Sequence, residues 1–456
     1  MTEITAINPA TGARLPGPAS TSIAEALSRT ARAAEVQRKW AAMSFAERAS
    51  RLLEMAQRLR DEAEKHAAIM TREMGKPVSS ARKEVEKCAW VCEFYAEHGE
   101  SFLSPQSIES DAEHSYVCFP PLGVVLAVMP WNFPYWQVFR FAAPALMAGN
   151  GAILKHASNV PGCALAIEQL FRDAGFPEGL FATVLIAGKD VAELITSPDI
   201  AAVTLTGSTP AGSAVAAEAG RQLKKSVLEL GGSDPYVVLE DADLPKAADA
   251  CVASRLVNTG QSCIAAKRFI VVEAVQQAFQ DCVLERLRQV TWGDPQSPET
   301  ELGPMAREDL RDELHEQVRR SIAAGARCLL GGEVPDRSGA WYPPTLLVDV
   351  TPGMPAFDEE LFGPVAVIVP ARDCAHALQL ANQSDYGLGA AVFTANIEQG
   401  KKIAEQSLEA GFCAVNDFVR SDPRLPFGGI KRSGYGRELS SFGIREFVNT
   451  KTVYIA

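Results

Sequence analysis

An α/β fold built on parallel sheets is what this sequence predicts, and three observations carry the prediction. Strand-like and helix-like segments alternate over most of the chain, the pattern of a layered fold with crossover helices. The segment GVVLAVMPW is almost wholly apolar, as a strand must be when its sheet is covered on both faces. At 456 residues the chain is about three times a typical domain, so more than one α/β unit is expected.

From about Ile23 to His98, IAEALSRTARAAEVQRKW and FAERASRLLEMAQRLRDEAEKHAAIM repeat apolar residues at intervals of three and four, which predicts amphipathic helices. The texture breaks at SPQS, after which HSYVCFP and GVVLAVMPW read as strands. NGAILK leads to a helix around CALAIEQLFRDAG, ATVLIAG to one at DVAELITS, and AAVTLTGS to AGSAVAAEAG; KSVLELGG closes the series. A second series begins near Ser233 with YVVLED, the helix KAADACVASRLVN, RFIVVEA and the helix VQQAFQDCVLERLRQV. ARCLLGG, TLLVDV, VAVIVPA and AAVFTA continue it, and RSDPRLPFGGIKRSGYGRE is loop-rich. The chain ends in FVNTKTVYIA, a strand with Lys and Thr interleaved. Two α/β domains with peripheral strands account for this order.

Composition narrows the function classes. A formal net charge of −12 argues against nucleic acid as the main partner, because affinity there needs clustered Lys and Arg. MTEITAINPATGARLPG has neither the basic nor the apolar region of a secretory signal, and no apolar run is long enough to span a membrane. The ten cysteines are scattered and form no CxxC, and the six histidines show no metal-ligand spacing. A reducing, cytoplasmic setting without a metal site is expected.

Several clusters carry chemistry. Cys263, in NTGQSCIAAKR, has no acid or base beside it and reads either as a nucleophile or, as free cysteines more commonly are, as a small buried apolar residue. The fingerprint GxGxxG is absent, but TGSTPAG sets Gly207 and Ser208 between a strand and a helix, where free N–H groups meet phosphate; a plain N-cap explains the serine too. LKHAS places Lys155 and Ser158 at a strand's carboxyl end, where ligands sit on open α/β sheets. In MPWNFPYWQVFR, prolines bracket Trp131 and Asn132, an amide able to stabilise developing negative charge or simply to satisfy a turn. Glu229 is the only acid in the strand end LELGG, and apolar surroundings would raise its pKa toward that of a general base. In DEELFGPV, one of Glu359 and Glu360 is placed to accept ribose hydroxyls while the Phe362 ring packs on a flat heterocycle.

PWNFP, LKHAS, TGSTPAG, LELGG, NTGQSC, EELFGPV and PFGGIKRSGYGRE, in this order, resemble the aldehyde dehydrogenase superfamily, closest to its bacterial succinate-semialdehyde branch. The resemblance covers essentially the whole chain. It implies two Rossmann-like α/β domains, one binding dinucleotide (1–104 and 122–230) and one catalytic (231–432), plus a small β element for homodimer or homotetramer formation (105–121 and 433–456). It implies Cys263 as nucleophile, Asn132 with the Cys263 backbone N–H as oxyanion donors, Glu229 as the base that activates water, and Glu438 as support for proton transfer. Cofactor contacts would come from Met129, Pro130, Trp131, Lys155, Ser158, Gly188, Gly207, Ser208, Glu360 and Phe362.

The chain departs from that pattern twice. Family members that use NAD strictly commonly carry Glu three residues after the lysine; Ser158 stands there instead, which leaves room for a 2′-phosphate beside Lys155, so NADP is expected alongside NAD. Arg140 matches an arginine that pairs a substrate's distal carboxylate, while the second such arginine is replaced by Val257; Arg424 or Ser421 is expected to complete the contact. Succinate semialdehyde is the leading substrate, with glutarate semialdehyde or an uncharged aliphatic aldehyde as alternatives. Glu229 argues against a CoA-acylating relative, retention of Cys263, Asn132 and Glu229 against a non-catalytic one, and the absence of a histidine beside Cys263 against a thiol hydrolase.

Overall fold

The computed structural model describes residues 4–456 and contains two parallel sheets with helices on their faces. Two short antiparallel strands, Ala6–Ile7 and Arg14–Leu15, lead into four helices, Ile23–Ala41, Phe45–Asp61, Ala63–Met74 and Val78–Leu103. The second starts with a reciprocal cap in which Ser44 and Glu47 each bond the other's backbone N–H.

The first sheet runs in the order Gly434–Tyr435, Lys225–Glu229, Ile200–Thr206, Val124–Met129, Gly151–His156, Phe181–Thr183. All neighbours are parallel except the short strand Gly434–Tyr435, which closes the edge beside Leu228 and Glu229. The register sets Thr206 opposite Glu229 and Met129 opposite His156, so the carboxyl ends of four strands form one rim. The second sheet has seven strands, in the order Arg327–Leu330, Thr345–Val348, Val365–Ala371, Ala266–Val272, Asp234–Val238, Gly389–Phe393, Phe412–Val415, parallel but for the first. A separate antiparallel sheet joins Lys451–Ile455 to His114–Cys118 and Gln106–Ser107. Residues 434–435 thus pair with the first sheet, and only 451–455 of the C-terminal stretch pair with the small one.

Two differences from the expected elements have physical causes. Trp136–Met147 is a helix in a segment to which the sequence assigns no element; every one of its residues is buried, so no polar face gives it a helical period. ATVLIAG yields a strand of three residues, Phe181–Thr183, at the sheet's edge. The helix Glu308–Ala323, unread in the sequence, packs over the second sheet's core through Leu314 and Val318.

Candidate active site

The helix Leu244–Leu256 ends at Val257, and the backbone then turns through three successive left-handed residues, Asn258, Thr259 and Gly260, with φ of 54°, 59° and 72°. A β-branched residue at positive φ is costly and persists only where its surroundings fix it. Arg255, fully buried, supplies that fixation by donating to the carbonyls of Gly260 at 2.6 Å and Gly363 at 2.8 Å. Lys267 holds the other side, its Nζ donating to the carbonyls of Ser262 at 2.9 Å and Cys263 at 2.7 Å and pairing with Glu360 at 3.3 Å. The turn delivers Cys263 half-buried, and no acceptor among the described residues takes its backbone N–H. Burial pushes the thiol up to about 12, with Lys267 and Arg140 pulling in the opposite direction.

Asn132 reaches the same turn from the first sheet. Its Nδ2 donates to the Gln261 carbonyl at 3.0 Å, which uses one of two N–H bonds, and its Oδ1 accepts from Gln137 at 3.0 Å, which fixes the amide's orientation. Asn258 ties the two halves together by donating to the Asn132 carbonyl at 2.6 Å.

Glu229, at the end of its strand, is 1% exposed, and neither carboxylate oxygen has a hydrogen-bond partner among the described residues. Burial, reinforced by the nearby Glu438 carboxylate, raises its pKa well above the ordinary value. It lies behind the wall of the cavities described below, under Gly428: a Cβ at that glycine, whose φ is +153°, would sit 2.8 Å from Glu229 Oε1. Glu438 forms a buried ion pair with Arg140, and burial raises its pKa too. Arg140 also donates to Thr206 Oγ1 at 3.2 Å and lies over the Phe427 ring. Its guanidinium, expected to await a substrate carboxylate, is therefore already matched by a carboxylate of the chain.

Two cavities meet at Cys263, and Cys263 and Gln137 are the residues their walls share. One, of about 500 Å³, is lined by Pro130, Trp131, Asn132, Gly207, Glu360 and Phe362 among others, with the Trp131 and Phe362 rings perpendicular and 5.9 Å apart. Ser208 lines it and also caps the 13-residue helix Thr209–Arg221, accepting the Ala211 N–H at 3.4 Å. Met129, Lys155, Ser158 and Gly188 do not line this cavity. Met129 is buried, Lys155 half-buried and Ser158 exposed along the same strand rim, whereas Gly188 lies exposed in a short turn of helix. No acidic partner pairs with Lys155 among the described residues, and burial lowers its pKa. A dinucleotide fits this set: a helix N-terminus for phosphate, an aromatic wall, a carboxylate for ribose and an uncompensated ammonium on the rim.

The other cavity, of about 670 Å³, is lined by the helix Val78–Leu103, by Trp136 and Arg140, by Val257 and by the loop Phe418–Asp422. Ser421 belongs to it and accepts the Trp136 Nε1–H at 3.2 Å. Arg424 does not; it is exposed and paired with Asp422 at 2.6 Å. Among the described residues no group of three or more His, Cys, Asp or Glu is placed to hold a metal, and no helix is long and apolar enough to cross a membrane. Sequence reasoning missed Arg255, Asn258, Gln261 and Lys267, which hold the Cys263 turn; all four lie in or beside NTGQSCIAAKR, but long-range partners give them their meaning.

A model of the aldehyde dehydrogenase family matches residues 1–453. A probable NADP(+) succinate-semialdehyde dehydrogenase of Synechocystis sp. is 50% identical over 99% of this chain and 100% of its own. The NAD(P)+ succinate semialdehyde dehydrogenase Sad of Escherichia coli is 49% identical over 99% and 98%. Among solved structures, succinic semialdehyde dehydrogenase from Streptococcus pyogenes in complex with NADP+ superposes with a TM-score of 0.96 at 37% identity, covering 99% of each chain.

Proposed function

The chain belongs to the aldehyde dehydrogenase family, and from that premise we propose that it oxidises succinate semialdehyde to succinate with NADP, accepting NAD as well. The observation that carries the proposal is the position of Cys263 where two cavities meet, one furnished for a dinucleotide and the other walled by cationic and aromatic side chains.

The Cys263 thiol releases its proton to solvent as its sulfur adds to the aldehyde carbon, and the new oxyanion takes the second N–H of Asn132 and the free backbone N–H of Cys263. A bound nicotinamide would supply the acceptor for the hydride, hydrogen with its electron pair, that must leave the former aldehyde carbon for a thioester to remain on Cys263. Glu229 takes a proton from water, whose oxygen attacks the thioester; succinate leaves and the Cys263 sulfur is regained. The raised pKa of Glu229 makes it a stronger base than an exposed carboxylate, and side-chain rotation out of its place under Gly428 brings it to the water. Glu438, matched by Arg140, is the next group able to hold that proton.

Pro130, Trp131, Gly207, Ser208, Glu360 and Phe362 would hold the nicotinamide and phosphates. Lys155 and Ser158 on the rim, with Met129 packed beneath, would face the adenine ribose, where a hydroxyl in place of a carboxylate tolerates a 2′-phosphate. The small sheet of Lys451–Ile455 and His114–Cys118 is proposed as a contact in a homo-oligomer, and ten free cysteines support a cytoplasmic setting.

A panel of succinate semialdehyde, glutarate semialdehyde and an uncharged aldehyde, each with NAD and NADP and followed by absorbance of the reduced cofactor, tests the proposal. Reduction with the uncharged aldehyde alone would refute the carboxylate assignment, and reduction with none would refute the activity.

A further inference from the structure

Arg140 leaves a question open, because an acid of the chain already neutralises the arginine expected to meet the substrate carboxylate. Six cations line the larger cavity. Lys76 is ion-paired with Glu84, Arg140 with Glu438, Arg286 with Asp249 and Arg420 with Asp417. Lys83 is exposed at the rim, where water hydrates it. Lys87 remains: half-buried, it has no hydrogen-bonded or ion-paired partner among the described residues. Its Nζ lies over the Trp136 ring, 4.2 Å from the centroid, and Trp136 in turn reaches Ser421.

The helix places these groups together. Ser80, Lys83, Glu84, Lys87 and Trp90 recur at three- and four-residue spacing and all line the cavity, so one face of Val78–Leu103 forms its wall. Of the acids lining the cavity, Glu301 is exposed to solvent and the other two are occupied. Glu84 pairs with Lys76 and accepts the N–H groups of Tyr135 and Trp136, each at 2.9 Å, and Asp422 is taken by Arg424. A half-buried cation without a counter-ion is costly, and an anion entering the cavity beside it would offset that cost. We propose that Lys87 makes a direct contact with the distal carboxylate of the aldehyde substrate, with Ser421 and the Trp136 ring beside it.

This inference rests on the ω-carboxy aldehyde reading above. It also explains why Val257 does no harm where the family resemblance implied a second arginine: the positive charge enters the same cavity from another helix. Burial and the neighbouring Arg140 guanidinium hold the Lys87 ammonium down to about 8, with Glu84 on its own helix, Asp422 on the facing loop and Cys88 opposing that shift. The charge is thus present at neutral pH and lost as pH rises through that value.

The test compares wild type, K87M and K87R on succinate semialdehyde and on butanal, an uncharged aldehyde of four carbons. K87M should raise KM for succinate semialdehyde by about tenfold or more, the value of a hydrogen bond to a charged group, while leaving kcat and the butanal KM nearly unchanged. K87R, which keeps the charge, should recover part of the loss. For wild type, KM for succinate semialdehyde should climb above pH 8 while that for butanal stays flat. Thermal melts should show no loss of stability in K87M, since it removes an uncompensated charge. Equal KM increases on both aldehydes, or no change in either, would overturn the assignment to Lys87. If wild type takes butanal as readily as succinate semialdehyde, the ω-carboxy reading itself fails; if wild type discriminates and K87M still does, Lys87 alone is wrong.

Discussion

Glu229 and Ser158 give the sharpest tests at the level of single residues. Glu229 must be ionised to take a proton from water, and its surroundings raise its pKa, so thioester hydrolysis should slow as pH falls through that raised value. E229Q should abolish this acid limb and lower the hydrolysis rate by roughly a hundredfold or more, leaving an acyl-enzyme visible by mass spectrometry. An E229Q enzyme that turns over at the wild-type rate would remove Glu229 from the reaction. Ser158 is exposed on the strand rim, three residues from the unpaired Lys155. A carboxylate there would repel a 2′-phosphate, so S158E should lower kcat/KM with NADP by about tenfold or more while sparing NAD. Loss with both cofactors alike would show that Ser158 does not select between them.

At the scale of elements, the loop Pro426–Gly429 matters because it roofs Glu229. A methyl group at Gly428 would meet Glu229 Oε1 at 2.8 Å and the Gly436 carbonyl at 2.9 Å, in a backbone region that L residues rarely adopt. G428A should therefore cost about 1–3 kcal/mol of stability and slow hydrolysis of the acyl-enzyme more than its formation, as rapid-mixing kinetics would separate. The alternating strands and amphipathic helices were legible in the sequence because periodicity is a local property. Trp136–Met147 was not, since a helix buried on every side carries no amphipathic signal. The same limit applies to the site. Cys263, Asn132 and Glu229 stand in recognisable strings, whereas the pairing of Arg140 with Glu438 joins residues about three hundred positions apart. Lys87 went unread for the opposite reason: on a helix rich in Lys and Glu, only the lack of a partner distinguishes it.

For the whole molecule, the small sheet is the feature with the widest reach. His114–Cys118 lies between Gln106–Ser107 and the C-terminal strand, and Tyr454 and Ile455 are 59% and 44% exposed. Apolar side chains on an outlying strand suit contact with a second subunit better than contact with water. If the proposed homo-oligomer forms through this sheet, deleting residues 451–456 should give a smaller species by sedimentation than the full chain, with a lower Tm, while circular dichroism keeps its α/β shape. An unchanged sedimentation coefficient would refute this sheet as a subunit contact.

The partition of the centre into two chambers that share, among the described residues, only Gln137 and Cys263 has a kinetic corollary. Each ligand has its own doorway, so occupying one does not bar the other. An inert analogue lodged on the dinucleotide side should depress the maximal rate without competing against aldehyde. A thiol reagent shaped for the aldehyde side should still label the sulfur when the opposite chamber is full, which makes the sulfur a gatepost visible from both corridors.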